Sequence, residues 1–416
     1  MFEGIIPKLR KDLDIRPIKH ENQDFILLHD RKSIAKSPVV VTPEMFAILY
    51  FLEENLTEST FREVFRKEFK IDNVDNILQQ IKELDDLGFL ESEKLRELLK
   101  QDEAQYLMAT ERPMITAGQS YPKSKDEFLE FMDNLFQKNI ANINNKNSRG
   151  IIAPHLDLSL QDYSHRVYAA AYDAISQTNA DTYIIFGTSH FAFSSFYMFT
   201  EKPYKTPLGN LEIDLELQKQ IFEQSTNAFG DNYLNLIRIR QVDEQAHRWE
   251  HSIEYAAVLL SYLNQNREIK ILPILVGSFY EFIVKKQMPN QDILIQQFLE
   301  IINKIVANSD KKICWISSVD FSHIGPKFGD QFDAIDKLEE CEWEDKISIN
   351  SILSLKPDLF FEKAIFDQDK WKICGLSPIY SQMIAMQPQS AKLLDYNQWY
   401  DKETKSAVSI AAISLD

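Results

Sequence analysis

Three short apolar segments of this chain are each followed at once by a histidine, and this repeated arrangement constrains the fold more than any other feature. The segment GIIAP precedes His155, TYIIFGTS precedes His190, and ICWISSV precedes Asp320 and then His323. Apolar runs of about four to eight residues bounded by turn residues predict buried strands. Because ligand sites of parallel sheets form outside the carboxyl ends of the strands, we expect these side chains to meet at one sheet edge.

From Gly150 onward, strand patterns of this kind alternate with amphipathic helix patterns, as in α/β proteins. Further strands are predicted at 269–276, 312–318, 391–396 and 407–414, helices at 251–263 and 291–307, and a hairpin at 204–213. We therefore predict an α/β fold in which a central, mostly parallel or mixed sheet is flanked by helices.

The length of 416 residues exceeds what one hydrophobic core usually serves, about 250–300 residues. We predict two domains, residues 1–105 and 106–416. Within the first, strands are expected at 24–29 and 38–41, helices at 42–54, 57–69 and 74–87, and a terminal β-wing beginning at Phe89-Leu90. This order, with the ending LDDLGFL at Leu84–Leu90, resembles a winged-helix-like α+β domain of the PqqD-like, peptide-binding type. A generic acidic helical domain used for packing or dimerisation is the alternative.

The charge balance and the apolar runs exclude several classes of partner. The formal net charge is −17, which disfavours nucleic acid and anionic membrane surfaces. No apolar run approaches the roughly 18 residues of a spanning helix, and the start lacks the apolar centre of a signal peptide. Only three cysteines occur, which fits a reducing compartment. We expect a cytoplasmic protein that binds neither nucleic acid nor membrane.

Two histidines and one anionic ligand form a metal site that leaves positions open for substrate or oxygen. Candidates for the anionic ligand are Asp320, Asp157, Glu250 and Cys374. Gly375 and Pro378 predict that the cysteine lies in a turn rather than a helix. A thiolate ligand would select a soft or borderline metal such as iron, copper or zinc.

A competing motif is HRWEH at His247–His251, which matches the H-x-x-E-H pattern of inverted zinc peptidases. In that alternative the two histidines bind zinc and Glu250 acts as the base. The preceding VDEQA is polar and loop-like, so His247 is expected to lie before the helix. We therefore place Glu250, His251 and Glu254 beside the site as supporting or substrate-contacting groups, together with Asp157 and Ser189.

Taken together, the motifs resemble the Memo family, the B component of the three-part AmmeMemoRadiSam system, from about Arg112 to the C-terminus. The motifs that carry this resemblance are TAGQSYP at 116–122, APHLD at 153–157, GTSH at 187–190, TPLG at 206–209, EHSIE at 250–254, LPILVG at 272–277, DFSHIG at 320–325 and CG at 374–375. They occur in the family's order.

The resemblance implies a fold similar to the class III extradiol dioxygenases, with His155, His190 and Cys374 as metal ligands. It also implies that His323 acts as acid and base with Asp320 beside it. Cys374 stands where the dioxygenases use a carboxylate ligand. The resemblance therefore implies redox chemistry at the metal that differs from the chemistry of the dioxygenases. Leu156-Asp157-Leu158 departs from the small and aromatic residues that the family often has there.

The expected cofactor is Fe(II), with copper as the alternative and zinc in third place. The resemblance implies a radical SAM protein and an AMMECR-type protein as partners, and the N-terminal domain would present a peptide. Two other functions stay open: a non-catalytic module that binds peptide or protein through the histidine-lined cleft or the N-terminal domain, and the zinc peptidase.

Overall fold

The computed structural model of the chain describes residues 2–21, 23–30, 32, 34–71, 73–139, 146–191, 195–230, 237–238 and 241–416, with 237–238 and 241–243 described by their backbone alone. The chain divides into two compact units, Met1–Ala109 and Thr110–Asp416. Each unit has its own hydrophobic core.

The N-terminal unit combines a three-stranded antiparallel sheet with four helices. Its elements are β1 Asp14–His20, β2 Gln23–His29, β3 Val39–Val41, α1 Pro43–Phe51, α2 Glu58–Lys67, α3 Val74–Asp86 and α4 Glu93–Met108. The sheet order is β1-β2-β3. Side chains that accept a hydrogen bond from a backbone N–H of the first turn cap all four helices, namely Thr42, Thr57, Asn73 and Ser92. Such caps fix where each helix begins.

The predicted strands β2 and β3 and helices α1 to α3 are present, but β1 was not predicted. Its sequence, DIRPIKH, lies mostly exposed at the edge of the sheet, so it lacks the apolar run that marks a buried strand. The β-wing predicted at Phe89-Leu90 is wrong. Leu90 forms only an isolated bridge with Leu9, because the Ser92 cap begins α4 directly afterwards.

The C-terminal unit contains the predicted large mixed sheet. Its strands are β4 Gly150–Ala153, β5 Thr182–Thr188, β6 Tyr197–Phe199, β7 Tyr204–Thr206, β8 Gly209–Ile213, β9 Ile237–Arg238, β10 Lys270–Val276, β11 Ile313–Ser318, β12 His323–Ile324, β13 Ala391–Asp401 and β14 Ser406–Leu415. Its helices are α5 Lys125–Lys138, α6 Gln161–Asp173, α7 Leu215–Phe229, α8 Gln241–Trp249, α9 Ser252–Leu263, α10 Tyr280–Lys285, α11 Ile293–Ala307, α12 Leu338–Leu353, α13 Pro357–Asp367 and α14 Leu376–Met386.

Four neighbouring parallel strands, in the order β4-β11-β5-β10, form the middle of this sheet. The strand β14 pairs with β4 in the antiparallel direction, and β6 does the same with β10. The predicted α/β class with a mixed sheet is therefore confirmed. The carboxyl ends of β4, β11 and β5 are adjacent, so His155, Asp320 and His190 emerge at one edge.

Both faces of the sheet are buried. Along β5, Ile184 and Phe186 belong to one core cluster, whereas Tyr183 and Ile185 belong to the other. This is why the parallel strands read as continuous apolar runs rather than as an alternation. None of the helices in the described ranges is long and apolar enough to cross a membrane.

Candidate metal centre

His155, His190 and Cys374 converge at the carboxyl edge of the sheet. One ligand atom from each of the three lies within 4.8 Å of the other two. The Cys374 Sγ is 3.4 Å from the His155 Nε2, and the rings of His155 and His190 have centroids 5.1 Å apart. Cys374, which is 219 positions from His155 in the chain, thus joins the same donor set.

His155 is fixed in a single orientation by the backbone around it. Its Nδ1 lies 3.0 Å from the carbonyl oxygen of Ser318, the last residue of β11. Because a carbonyl can only accept, Nδ1 carries the proton and Nε2 keeps a free lone pair. The residue is 2% exposed, and burial lowers its pKa to about 3. The imidazole is therefore neutral at physiological pH, as a metal ligand requires.

His190 is oriented by Glu250 in the same way. The His190 Nδ1 donates to the Glu250 Oε1 at 2.9 Å, and the His190 backbone N–H donates to Oε2 at 2.8 Å. Burial opposes the charged form of Glu250, but its contacts with His190 and His251 hold the pKa of this carboxyl well below its ordinary value. A carboxylate behind a ligating imidazole fixes the tautomer and raises ligand basicity.

Cys374 lies in the predicted turn, just before α14. Its sulfur accepts a hydrogen bond from the Asp320 backbone N–H at 3.2 Å. A Cβ on the next residue, Gly375, would lie 2.9 Å from the Asp320 carbonyl oxygen, so glycine is required for this close approach. Burial raises the pKa of the Cys374 thiol well above its ordinary value. The other two cysteines, like Cys374, are free.

Three residues just before the cysteine adopt the left-handed backbone region. They are Gln368, Asp369 and Lys372, with φ of 57°, 49° and 53°. Non-glycine residues in this region carry conformational strain. The turn that presents the thiol is therefore held against its local preference by the surrounding fold.

His323 and Asp320 lie on the same edge as predicted. The His323 Nδ1 contacts the carbonyl oxygens of Phe321 and Lys372 at 3.0 and 3.2 Å, so its Nε2 is also unprotonated. Burial lowers the pKa of His323 to about 4 and raises that of Asp320 to about 6. The Asp320 Oδ2 lies 3.7 Å from the His155 Nε2.

The alternative that needs His247 and His251 on one metal is not supported by their positions. The HRWEH motif is divided between α8, which ends at Trp249, and α9, which begins at Ser252. His247 is fully buried, and its ring nitrogens contact the Tyr204 hydroxyl at 2.9 Å and the Met198 carbonyl oxygen at 2.8 Å. Both nitrogens are thereby occupied, and the structure does not bring His247 to the centre.

Glu254 lies one layer behind the three candidate ligands rather than beside them. It is fully buried, forms an ion pair with Arg112, and accepts hydrogen bonds from the Thr116 hydroxyl at 2.6 Å and the Tyr121 hydroxyl at 2.7 Å. These contacts anchor the TAGQSYP segment on α9. Glu254 is therefore a structural support for that segment.

Arg112 is a residue of the site that the sequence did not reveal. Its guanidinium is fully buried and donates to the carbonyl oxygen of His247 at 2.8 Å and that of Glu250 at 2.5 Å. It therefore holds the break between α8 and α9, which places Glu250 and His251 at the start of α9. A single arginine in the RPM segment carries no periodic signal that could have pointed to this role.

The remaining predicted residues lie around the centre. The Asp157 Oδ1 accepts from the Ser159 backbone N–H at 2.8 Å, so it stabilises the turn after His155. Ser189 lines a cavity of about 220 Å³ together with Thr188, Gly277 and Cys374. This cavity opens beside the sulfur, and the His190 side chain is 35% exposed. The centre is accessible from solvent, as a site for a small molecule must be.

Comparison with known proteins identifies a family of similar sequences. Residues 112–414 match the model of the family described as "Memo-like protein". A "MEMO1 family protein" of Aquifex aeolicus is 27% identical over 411 residues, which cover 98% of this chain and 99% of the relative. A MEMO1 family protein of Methanosarcina barkeri is 29% identical over 289 residues, which cover 69% of this chain and 92% of the relative. The Aquifex alignment thus includes the N-terminal unit.

Proposed function

This chain belongs to the Memo-like protein family, and from that premise we propose that it is a mononuclear metal protein whose ligands are His155, His190 and Cys374. The observation that carries the proposal is the convergence of these three side chains within 4.8 Å of one another. Two neutral imidazoles and one thiolate suit Fe(II) first, copper as the alternative and zinc third. The proposed chemistry is redox chemistry related to that of the class III extradiol dioxygenases.

When bound, such a metal ion supplies electrons and open coordination positions. The chain supplies the remaining parts. The Ser318 carbonyl and the Glu250 carboxylate hold the two imidazoles in the tautomer that ligation needs. His323 lies beside Asp320 with its Nε2 free to accept a proton. Because burial keeps the Cys374 thiol protonated, metal binding at this sulfur would release a proton.

The test is metal loading of the anaerobically purified protein. We expect one Fe(II) or copper ion per chain, with a sulfur-to-metal charge-transfer band in the spectrum. His155→Ala and Cys374→Ser should each abolish stoichiometric binding, whereas Cys314→Ser, a matched buried cysteine outside the donor set, should bind as the parent does. A parent that retains no metal would contradict the proposal and favour the non-catalytic binding module instead.

We further propose that the protein acts in the cytoplasm beside a radical SAM protein and an AMMECR-type protein. Family membership supports this pairing. The N-terminal unit, which has its own hydrophobic core, is proposed to be a small α+β domain of the PqqD-like type, without a β-wing, that presents a peptide. Co-purification of the full chain with each partner, against a chain that lacks residues 1–105, tests both parts. Equal recovery of a bound peptide by the two chains would contradict the role of the N-terminal unit.

A further inference from the structure

The cavity beside the Cys374 sulfur has an acidic residue in its lining that the proposed metal centre does not use. Among the described residues that line this cavity, Asp369 supplies the one carboxylate. Buried apolar side chains form much of the remaining wall, namely Val276, Phe279, Ile283, Ile373 and Leu376. The volume of about 220 Å³ is below the roughly 300–1,000 Å³ of pockets that hold drug-sized ligands. The cavity therefore suits a small molecule with an apolar body and one polar group.

One oxygen of the Asp369 carboxylate is bound by the protein and the other is not. The Oδ1 accepts from the Ile373 backbone N–H at 3.1 Å, which fixes the side chain within the turn before Cys374. In the part of the chain that the structure describes, no hydrogen bond or ion pair reaches the Oδ2. A carboxylate that is partly removed from water is normally paired. Here one oxygen remains for a ligand.

The two lysines whose charges act on Asp369 are paired with other carboxylates. The Lys363 Nζ lies 2.8 Å from the Asp367 carboxylate. The Lys372 Nζ, although Lys372 also lines the cavity, lies 2.8 Å from the Asp330 carboxylate. Neither ammonium group forms an ion pair with Asp369, so the cation that would complete this carboxylate is left to a ligand.

We propose that this cavity binds a small organic amine and that Asp369 is the specificity-determining residue that accepts hydrogen bonds from its ammonium group. Charge-assisted hydrogen bonds of this kind are about twice as strong as neutral ones, and the apolar wall covers the carbon body of the ligand. As the substrate class of the metal centre, the amine rests on the proposed function, because Cys374 lines the same cavity. As a ligand of the cavity, it depends on the chain alone.

The pH dependence of amine binding should follow the ionisation of Asp369. Burial, the largest cause, raises the pKa of this carboxyl to about 7, and the hydrogen bond from the Ile373 N–H opposes the rise. The other titratable side chains that line the cavity or act on this charge are Asp367, Lys363, Lys372, Tyr280 and Cys374. Asp367 raises the pKa further, whereas the two lysines lower it. An ammonium ligand should therefore bind more tightly above pH 7 than below it, because only the ionised carboxyl attracts it.

The experiment compares two probes, benzylamine and benzyl alcohol, which share the ring and the methylene group but differ in charge. Nuclear magnetic resonance titration of the metal-free full chain measures both affinities, and the amide signals of Ile373 and Ser278 report on the cavity. Benzylamine should shift these signals and should bind about tenfold more tightly than benzyl alcohol at about pH 8. Its affinity should fall by about tenfold at about pH 6, where the carboxyl is mostly protonated.

Asp369→Asn is the decisive variant. Asparagine tolerates the left-handed backbone of this position, where φ is 49°, and its Oδ1 can still accept from the Ile373 N–H. The substitution should weaken benzylamine binding by about tenfold, leave benzyl alcohol within about twofold, and remove the pH dependence. Asp367→Asn carries the same change of charge two positions away, outside the cavity lining, and should bind benzylamine within about threefold of the parent.

The inference would be overturned if benzylamine did not shift the cavity signals of the parent chain. Equal benzylamine affinity in the parent and Asp369→Asn would also overturn it, as would equal losses in Asp369→Asn and Asp367→Asn. Because the titration uses metal-free protein, amine binding that depends on Asp369 in a chain that retains no metal would contradict the proposed function alone. Stoichiometric metal binding in a chain whose amine affinity ignores Asp369 would contradict this inference alone.

Discussion

The two edges of the large sheet both carry charged side chains, but they use them differently. At the amino edge a cavity of about 920 Å³ is lined by residues that include Asp181, Thr182, Asp214 and Lys311. The Asp214 carboxylate lies 3.0 Å from the Lys311 Nζ and accepts from the Thr182 hydroxyl at 2.6 Å. The charges of Asp214 and Lys311 therefore neutralise each other in an ion pair.

At the carboxyl edge the cavity is only about 220 Å³, yet the Nδ1 atoms of His155, His190 and His323 each contact a carbonyl or carboxylate oxygen of the protein. Among the described residues, the groups of three ligand atoms lie only at this edge. The comparison shows that convergent donor side chains, and not cavity volume, distinguish the candidate metal centre from the larger cavity at the amino edge.

The largest expected effect comes from removing Arg112, the buried cation behind the carboxyl edge. Arg112→Met leaves Glu254 buried without its partner, so we expect the free energy of unfolding to fall by about 3–5 kcal/mol and metal affinity to fall with it. Lys311→Met at the amino edge should cost about 1 kcal/mol, because Lys311 is partly exposed and its ion pair is screened. Urea unfolding measures both variants. Equal losses of stability in Arg112→Met and Lys311→Met would contradict the expected difference between the two edges.

A smaller effect is expected from filling the close contact between β5 and α9. A Cβ at Gly187 would lie 2.6 Å from the Ile253 side chain, so Gly187→Ala should cost about 1–3 kcal/mol by overpacking. The added methyl group should displace α9. It should therefore weaken the contact between Glu250 and His190 and lower the metal affinity. Ile184→Val on the same strand is the control, since it should lower stability while metal affinity is unchanged. Parent-like metal affinity in Gly187→Ala would contradict the prediction.

The pH dependence of stability should have opposite signs for two buried carboxyls. Near the carboxyl edge, Asp345 accepts from the Ser322 hydroxyl at 2.6 Å, and burial raises its pKa from the ordinary 3.8. The native state then holds this proton longer than the unfolded state, so stability falls as the pH rises above about 4. Urea unfolding across this range should show a weaker fall in Asp345→Asn.

For Asp214 at the amino edge, burial opposes the charged form, but hydrogen bonds from Thr182 and Leu217 and the charge of Lys311 lower its pKa from 3.8. Its contribution is present above the unfolded pKa and is lost as the pH falls below about 4. Asp214→Asn should therefore reduce the loss of stability below about pH 4 in the same urea unfolding measurements. Identical pH profiles for the two asparagine variants would show that the edges do not differ in this respect.

The smallest effect concerns the strained turn before Cys374. Gln368 has φ of 57°, where glycine has no steric penalty. Gln368→Gly should raise the free energy of unfolding by about 0.5 kcal/mol, the relief of left-handed strain less the added entropy of the unfolded chain. A loss of stability would indicate that the glutamine side chain contributes contacts that outweigh the strain.

Much of the fold could be predicted because the parallel strands are apolar on both faces and end at turn residues. His155, His190 and Asp320 follow such strands directly, so their meeting at one edge followed from strand direction alone. The anionic group of the proposed donor set did not follow from strand direction. Four candidates fitted the residue chemistry, and the position of Cys374 depends on a turn that only the assembled fold holds in place.

The residues that orient the histidines of the site could not be predicted from sequence patterns either. The division of HRWEH between two helices results from Arg112, which donates to carbonyls more than 130 positions away in the chain. No local preference encodes such a contact. Glu250, which contacts the His190 Nδ1, lies in the break between the two helices.

The strand β14, residues 406–415, pairs directly with β4, the strand that presents His155. During synthesis the two histidines leave the ribosome more than two hundred residues before this neighbouring strand does. Non-local pairings of this kind form late, because the connecting chain must be ordered first. We therefore expect the nascent chain to complete its sheet before the thiol and the imidazoles can bind one ion together. Under the proposed function, metal would then enter a folded protein rather than direct its folding.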